Sequence, residues 1–229
     1  MRSEIQRDDA QQLAKLLAEK VAEQLQQIIQ EKDKAVLVVS GGNTPVDFFQ
    51  ALSHMELSWS RVSITLADER WLNTDDERSN EKLVRDHLLQ NKASQAYFLG
   101  LKNNALTPSE GIMDCETQLR TQNMEPDIVI LGMGADGHTA SWFPESEQLK
   151  SLMDNNSSAW CLPVEDAFLT EPRMSLSWRM LNKARQIYLH FTGAEKVAVY
   201  QQACQQMSPK LPVSLVLNQQ QVPVSIYYS

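Results

Sequence analysis

A carboxylate and an imidazole stand two residues apart among three glycines in Gly132-Met133-Gly134-Ala135-Asp136-Gly137-His138. Histidine titrates close enough to neutrality to take a proton from water, and a positioned general base contributes typically ~10²–10⁴ in rate. The glycines let the loop hinge, so Asp136 and His138 can face one pocket, the carboxylate orienting the ring or stabilising the charge it gains. A loop histidine with a structural hydrogen bond is the plainer alternative, and the surrounding glycines weigh against it. His54 and His87 fall in helical patterns and His190 in a strand, which marks all three as surface or core residues.

A second group of residues suits an anion. Ser40-Gly41-Gly42-Asn43-Thr44-Pro45 directly follows an apolar run, and such a loop brings backbone N–H groups to a phosphate while the next helix points its positive end inward. Taken alone, the loop fits a phosphate cradle or an ordinary glycine turn, since it is neither a P-loop nor a dinucleotide fingerprint. Asp68-Glu69-Arg70 ends another apolar run, and Arg70 matches phosphate oxygens in a bidentate way. Arg173 follows Pro172 at the start of an alternating stretch. Lys196 falls in the first turn of a helix after Gly193, where a cation opposes the helix dipole and anion binding would offset the cost.

The elements that must hold these loops are legible in the apolar spacing. From Ala10 to Gln30, Leu13, Leu16, Leu17, Val21, Leu25, Ile28 and Ile29 recur at three- and four-residue steps, which predicts an amphipathic helix. Ala35–Val39, Val62–Ala67, Ile128–Leu131 and Ile187–Phe191 read as buried strands, with helices expected at Ser79–Gln90 and about Glu195–Gln206. Trp160–Val164 is a further candidate strand, and Val222–Tyr228 reads as a last strand, at an edge or terminus because of Pro223. Strands alternating with helices imply an α/β fold, a single Rossmann-like domain over 1–229 with a mainly parallel sheet and helices on both faces. Ligands of such sheets bind outside the carboxyl ends of the strands, where all the unusual loops fall.

Composition narrows the function classes. Apolar residues make up 42% and charged residues 22%, the balance of a globular chain that folds by itself. The net charge of −8 argues against nucleic acid, which needs surplus Lys and Arg on one face. No stretch is apolar for the length of a bilayer span, and the charged opening residues do not resemble a secretory signal, so a cytoplasmic chain without a membrane partner is expected. Cys115, Cys161 and Cys204 are widely spaced and odd in number, which suggests reduced thiols and neither a disulfide framework nor a metal site.

In this order, the motifs resemble the 6-phosphogluconolactonase family. Ser40-Gly41-Gly42-Asn43-Thr44-Pro45, Asp68-Glu69-Arg70 with Ser79-Asn80, the run from Gly132 through Thr139-Ala140-Ser141 to Phe143-Pro144, Pro172-Arg173 with Ser175 and Ser177, and Gly193 with Lys196 carry the likeness over nearly the whole chain. Asn43 and Trp142 depart from the commoner Ser and Leu; Trp142 would narrow the pocket mouth or pack against the sheet. The resemblance implies cofactor-free, metal-free hydrolysis of 6-phosphoglucono-δ-lactone in the oxidative pentose phosphate pathway; a monomer is the default expectation. It further implies His138 as base with Asp136 beside it. Ser40, Gly41, Gly42, Asn43, Asp68, Arg70, Gly134, Arg173 and Lys196 would hold the sugar-phosphate lactone. Two alternatives stay open: a glucosamine-6-phosphate deaminase or isomerase, and a sugar-phosphate sensor without catalysis. In the deaminases a Glu follows the loop histidine by five positions, whereas this chain has Phe143 there and Glu145 two positions beyond.

Overall fold

In the computed structural model, which describes residues 2–229, the chain opens with β1 (Arg2–Gln6) and turns into α1 (Ala10–Lys32). Asp9 caps that helix by accepting from the N–H groups of Gln11 and Gln12. Its apolar stripe, from Leu13 through Val21 to Ile29, is buried against the sheet. Then come β2 (Ala35–Val39), α2 (Val46–Ser53), β3 (Val62–Leu66), β4 (Asp68–Arg70) and α3 (Asn80–His87). The middle of the chain supplies β5 (Tyr97–Leu99), α4 (Pro108–Thr121), β6 (Ile128–Leu131) and α5 (Leu149–Met153). The last third contains β7 (Cys161–Val164), β8 (Arg173–Leu176), α6 (Trp178–Leu181), β9 (Gln186–Phe191), α7 (Ala194–Ala203), α8 (Val213–Asn218) and β10 (Val224–Tyr228).

Seven strands form one sheet in the order β1-β10-β9-β6-β2-β3-β5, every neighbouring pair parallel. β2 and β6 at its centre are buried along their whole length, as their unbroken apolar runs require. Asp127 is a buried anchor just before β6: it accepts from the Val36 N–H at 2.8 Å and pairs with Lys32 at 2.8 Å, tying β2, β6 and the end of α1. A second sheet, β4-β8-β7, is antiparallel and sets Asp68 opposite Ser175 and Arg70 opposite Arg173. This small sheet stands beside the carboxyl ends of the large one and closes the site from that side.

Several expectations need correction. β10 is interior, because β1 pairs along its outer edge; the alternating charges of Arg2 and Glu4 concealed a strand whose side chains are mostly exposed. Pro223 is tolerated just before β10, where its carbonyl accepts from the Ile187 N–H. Asp68-Glu69-Arg70 is itself a strand rather than a loop end. Of the two readings of Trp142 the structure realises packing: it is fully buried, donates from Nε1 to the Leu176 carbonyl at 2.9 Å and meets Trp178 edge-on. The three cysteines are free, and Cys115 and Cys161, distant in sequence, bring their sulfurs to 3.4 Å between α4 and β7. Among the described residues no helix is long and apolar enough to cross a membrane.

Candidate active site

A cavity of about 290 Å³ opens at the carboxyl ends of β2, β6 and β9. Ser40, Gly41, Gly42, Asn43, Asp68, Arg70, Gly134, His138, Arg173 and Lys196 all line it. Asp136 does not line the cavity and reaches it only through His138.

The Asp136 carboxylate accepts from His138 at Nδ1, 2.6 Å away, and from the His138 backbone N–H at 3.1 Å. Since an ionised carboxylate only accepts, the neutral imidazole must carry its proton on Nδ1, which leaves Nε2 as the ring's free acceptor. Desolvation alone would raise the Asp136 carboxyl, but the hydrogen bond and charge of His138 outweigh it and hold Asp136 below the usual carboxylate range. Gly134 makes this arrangement possible. A Cβ there would lie 2.3 Å from the imidazole and 2.6 Å from the Asp136 carboxylate. Phe143 packs against the His138 ring at a tilt, centroid to centroid 4.8 Å.

The other wall is cationic. Arg70 donates from Nη1 to the Arg78 carbonyl at 2.7 Å and to Asn80 Oδ1 at 2.6 Å, which fixes its guanidinium without a carboxylate partner among the described residues. Arg173 lies over the Phe143 ring, 5.8 Å from its centroid, with Nη1 3.9 Å from Asp68; burial pushes its guanidinium down and Asp68 opposes that shift. Lys196 has no carboxylate partner among the described residues. Three cations against the single carboxylate of Asp68 leave the lining two charges positive in a chain of net charge −8. Asp68 is itself held, accepting from Ser141 Oγ at 2.6 Å and Asn80 Nδ2 at 3.3 Å.

The glycine loop completes the wall. Among the described residues, none of the backbone N–H groups of Gly41, Gly42, Asn43 and Thr44 donates to a backbone acceptor, and all four residues line the cavity ahead of the first turn of α2. Gly41 lies so close to Asn80 that a Cβ would fall 1.8 Å from Asn80 Oδ1. Asn80 thus touches the loop, Arg70 and Asp68 at once, and its role came through only as part of a motif. Behind it, Glu69 is fully buried and accepts from the N–H groups of Arg70, Asn80 and Glu81 and from the Ser79 hydroxyl. Burial pushes its carboxyl up, against those donors. Sequence reasoning also passed over His190, which lines the cavity floor, because a strand histidine carries no local signal.

A family model described as glucosamine-6-phosphate isomerases/6-phosphogluconolactonase matches residues 8–225. The chain belongs to this family. A 6-phosphogluconolactonase of Mesorhizobium japonicum is 40% identical over 221 residues, covering 96% of this chain and 92% of the relative. One from Neisseria meningitidis serogroup A is 37% identical over 223 residues, covering 97% and 96%. The crystal structure of a 6-phosphogluconolactonase from Shewanella baltica is similar with a TM-score of 0.95 at 42% identity, covering all of this chain and 98% of that one. The family's name spans two chemistries, isomerisation and lactone hydrolysis, so the choice rests on the residues around His138. At the position where the resemblance implies a Glu in the deaminases, this family member has Phe143, whose ring covers the imidazole; Glu145 is exposed and outside the cavity.

Proposed function

We propose that this chain hydrolyses the ring ester of 6-phosphoglucono-1,5-lactone to 6-phosphogluconate by general-base activation of water, a step of the oxidative pentose phosphate pathway. One observation carries the reading: His138, its Nδ1 tied to Asp136, keeps Nε2 free on a cavity whose lining is two charges positive. A lactone hydrolase needs only a base, an anchor for the phosphate and donors for a developing oxyanion. Nε2 takes a proton from water as its oxygen attacks C1. The carbonyl becomes a tetrahedral oxyanion, which collapses with cleavage of the bond from C1 to the ring oxygen. The imidazolium returns its proton to that departing oxygen, and the new carboxylic acid releases the other. Asp136 holds the ring in the required tautomer and lies beside the positive charge while it lasts.

Arg70, Arg173, Lys196 and the N–H groups of the Gly41–Gly42 loop would hold the phosphorylated end, with Ser40, Asn43, Asp68 and Gly134 shaping the rest of the pocket. One domain over residues 1–229 carries the activity, supported by the pairing of the first strand with the last. We read it as a monomer, to be checked by light scattering. A phosphorylated lactone does not cross bilayers, so the enzyme shares the cytoplasm with its source.

The test follows freshly made 6-phosphoglucono-δ-lactone at mildly acidic pH, where spontaneous hydrolysis is slow. Rapid loss with the protein, abolished in His138→Ala with the fold retained, is expected. Unchanged lactone decay, with 6-phosphogluconate bound, would support the sensor alternative, and ammonia released from glucosamine 6-phosphate the deaminase one.

A further inference from the structure

Four buried side-chain polar atoms lack a hydrogen-bond partner among the described residues, and three of them belong to the cavity: Ser40 Oγ and both ring nitrogens of His190. A buried polar atom left unpaired costs about 1–3 kcal/mol, so two residues carrying three such atoms around one pocket call for a cause. His190 is 3% exposed, with its ring set into the cavity wall.

Its placement supplies that cause. β9 pairs with β6 in the register Leu131↔Leu189, and β2 with β6 in the register Val39↔Ile130. One residue beyond the β6–β9 ladder His190 therefore neighbours Gly132, and two residues beyond the β2–β6 ladder Gly132 neighbours Gly41. Across the ends of three adjacent strands this row carries two glycines and a single side chain. Nothing lies within 4 Å of where a Cβ of Gly132 would point, so the space beside His190 is open. Its ring and that of Phe48 in α2, behind the glycine loop, form a T-shaped pair with centroids 6.3 Å apart, and Lys196 in α7 is the charge it feels. The imidazole thus lies between the first turns of two helices, α2 and α7, on the anion-binding side of the cavity.

We infer that His190 is a substrate-contacting specificity residue, its imidazole hydrogen-bonding the phosphate-bearing end of the ligand on the cavity floor. Both nitrogens are covered in this ring orientation, and half a turn of the ring about Cβ–Cγ, with no backbone movement, exchanges its carbon and nitrogen edges. The identity of the ligand rests on the proposed lactonase activity; the placement of His190 against a phosphate does not.

Two measurements test it. In wild-type protein with isotopically labelled histidine, titration with inorganic phosphate should shift the His190 imidazole resonances saturably, with 6-phosphogluconate competing. In kinetics, His190→Leu should lower the ratio of kcat/KM for phosphorylated over unphosphorylated gluconolactone roughly tenfold, mainly through KM, the size of one hydrogen bond to a charged group. His190→Gln, which keeps a donor, should recover much of that ratio. Resonances unmoved at saturating phosphate, a ratio unchanged in folded His190→Leu, or equal losses on both lactones would each overturn the assignment. A resonance shift in a protein that fails to hydrolyse the lactone would sink the activity and leave His190 as a phosphate contact.

Discussion

At Nδ1 of His138 the partner is a carboxylate, and this one contact decides which nitrogen can act as the base. Asp136→Asn offers an amide that can donate as well as accept, so the ring can settle in the wrong tautomer. Its kcat should fall by roughly 10- to 100-fold, less than the ~10²–10⁴ expected on removing the imidazole, with melting temperature little changed. Equal losses in both variants would mean that Asp136 does more than orient. His190 makes a different residue-scale prediction. Burial, with Lys196 assisting, lowers its pKa to about 4 from the ordinary 6.5. The unfolded chain therefore takes up a proton that the folded chain refuses. Stability from this group is complete above about pH 6.5 and is lost as pH falls towards 4, on the order of 3 kcal/mol in all. Melting curves between about pH 7.5 and 4.5 should fall more steeply for the wild type than for His190→Leu; parallel curves would contradict the shift.

At the scale of elements, Glu69 joins the small sheet to α3. Its two oxygens receive the N–H groups of Arg70, Asn80 and Glu81 and the Ser79 hydroxyl, so the start of α3 and the Asn80 side chain are set by one buried carboxylate. Glu69→Gln turns an acceptor into a donor facing N–H groups, a cost of about 1–3 kcal/mol. A melting temperature lower by roughly 3–10 °C is expected from differential scanning calorimetry. KM should rise with it, because Asn80 holds Arg70 and packs against the glycine loop. A lower melting temperature with KM unchanged would separate the two roles. Helix α4 shows how an element can be overlooked despite its signals. Thr107 caps it by accepting from the Glu110 N–H, Pro108 opens it, and the Glu110 carboxylate reaches back to accept from the Leu106 N–H, a start signalled by the Thr-x-x-Glu spacing. Its apolar face is thin, with Met113 exposed, so periodicity alone carried too little contrast.

Over the whole molecule, a chain of net charge −8 presents a cavity lined by three cations and one carboxylate. Attraction of a phosphorylated substrate to that mouth, and repulsion by the rest of the surface, are both screened by salt. The pocket is close to the bound anion and the surface is distant, so the attractive part should dominate. KM is expected to rise roughly threefold between about 0.05 and 0.5 M salt with kcat steady; a KM indifferent to salt would place the phosphate away from Arg70, Arg173 and Lys196.

The sequence by itself determined the central strands, the long first helix and the loops at the strand ends. These features are local: an apolar run of four or five residues, a three- and four-residue repeat, a glycine beside an acid and a histidine. It also pointed to His138 and the cationic residues that line the cavity, since their types and loop settings announce chemistry wherever the chain carries them. Only the tertiary structure decided that Asp136 stands behind His138 outside the cavity, that β1 makes β10 interior, and that Trp142 belongs to the core. It alone brought Glu69 under Asn80 and His190 to the cavity floor. Those outcomes depend on which strands are neighbours and in what register, and pairing between segments far apart in the chain leaves no periodic trace in either segment.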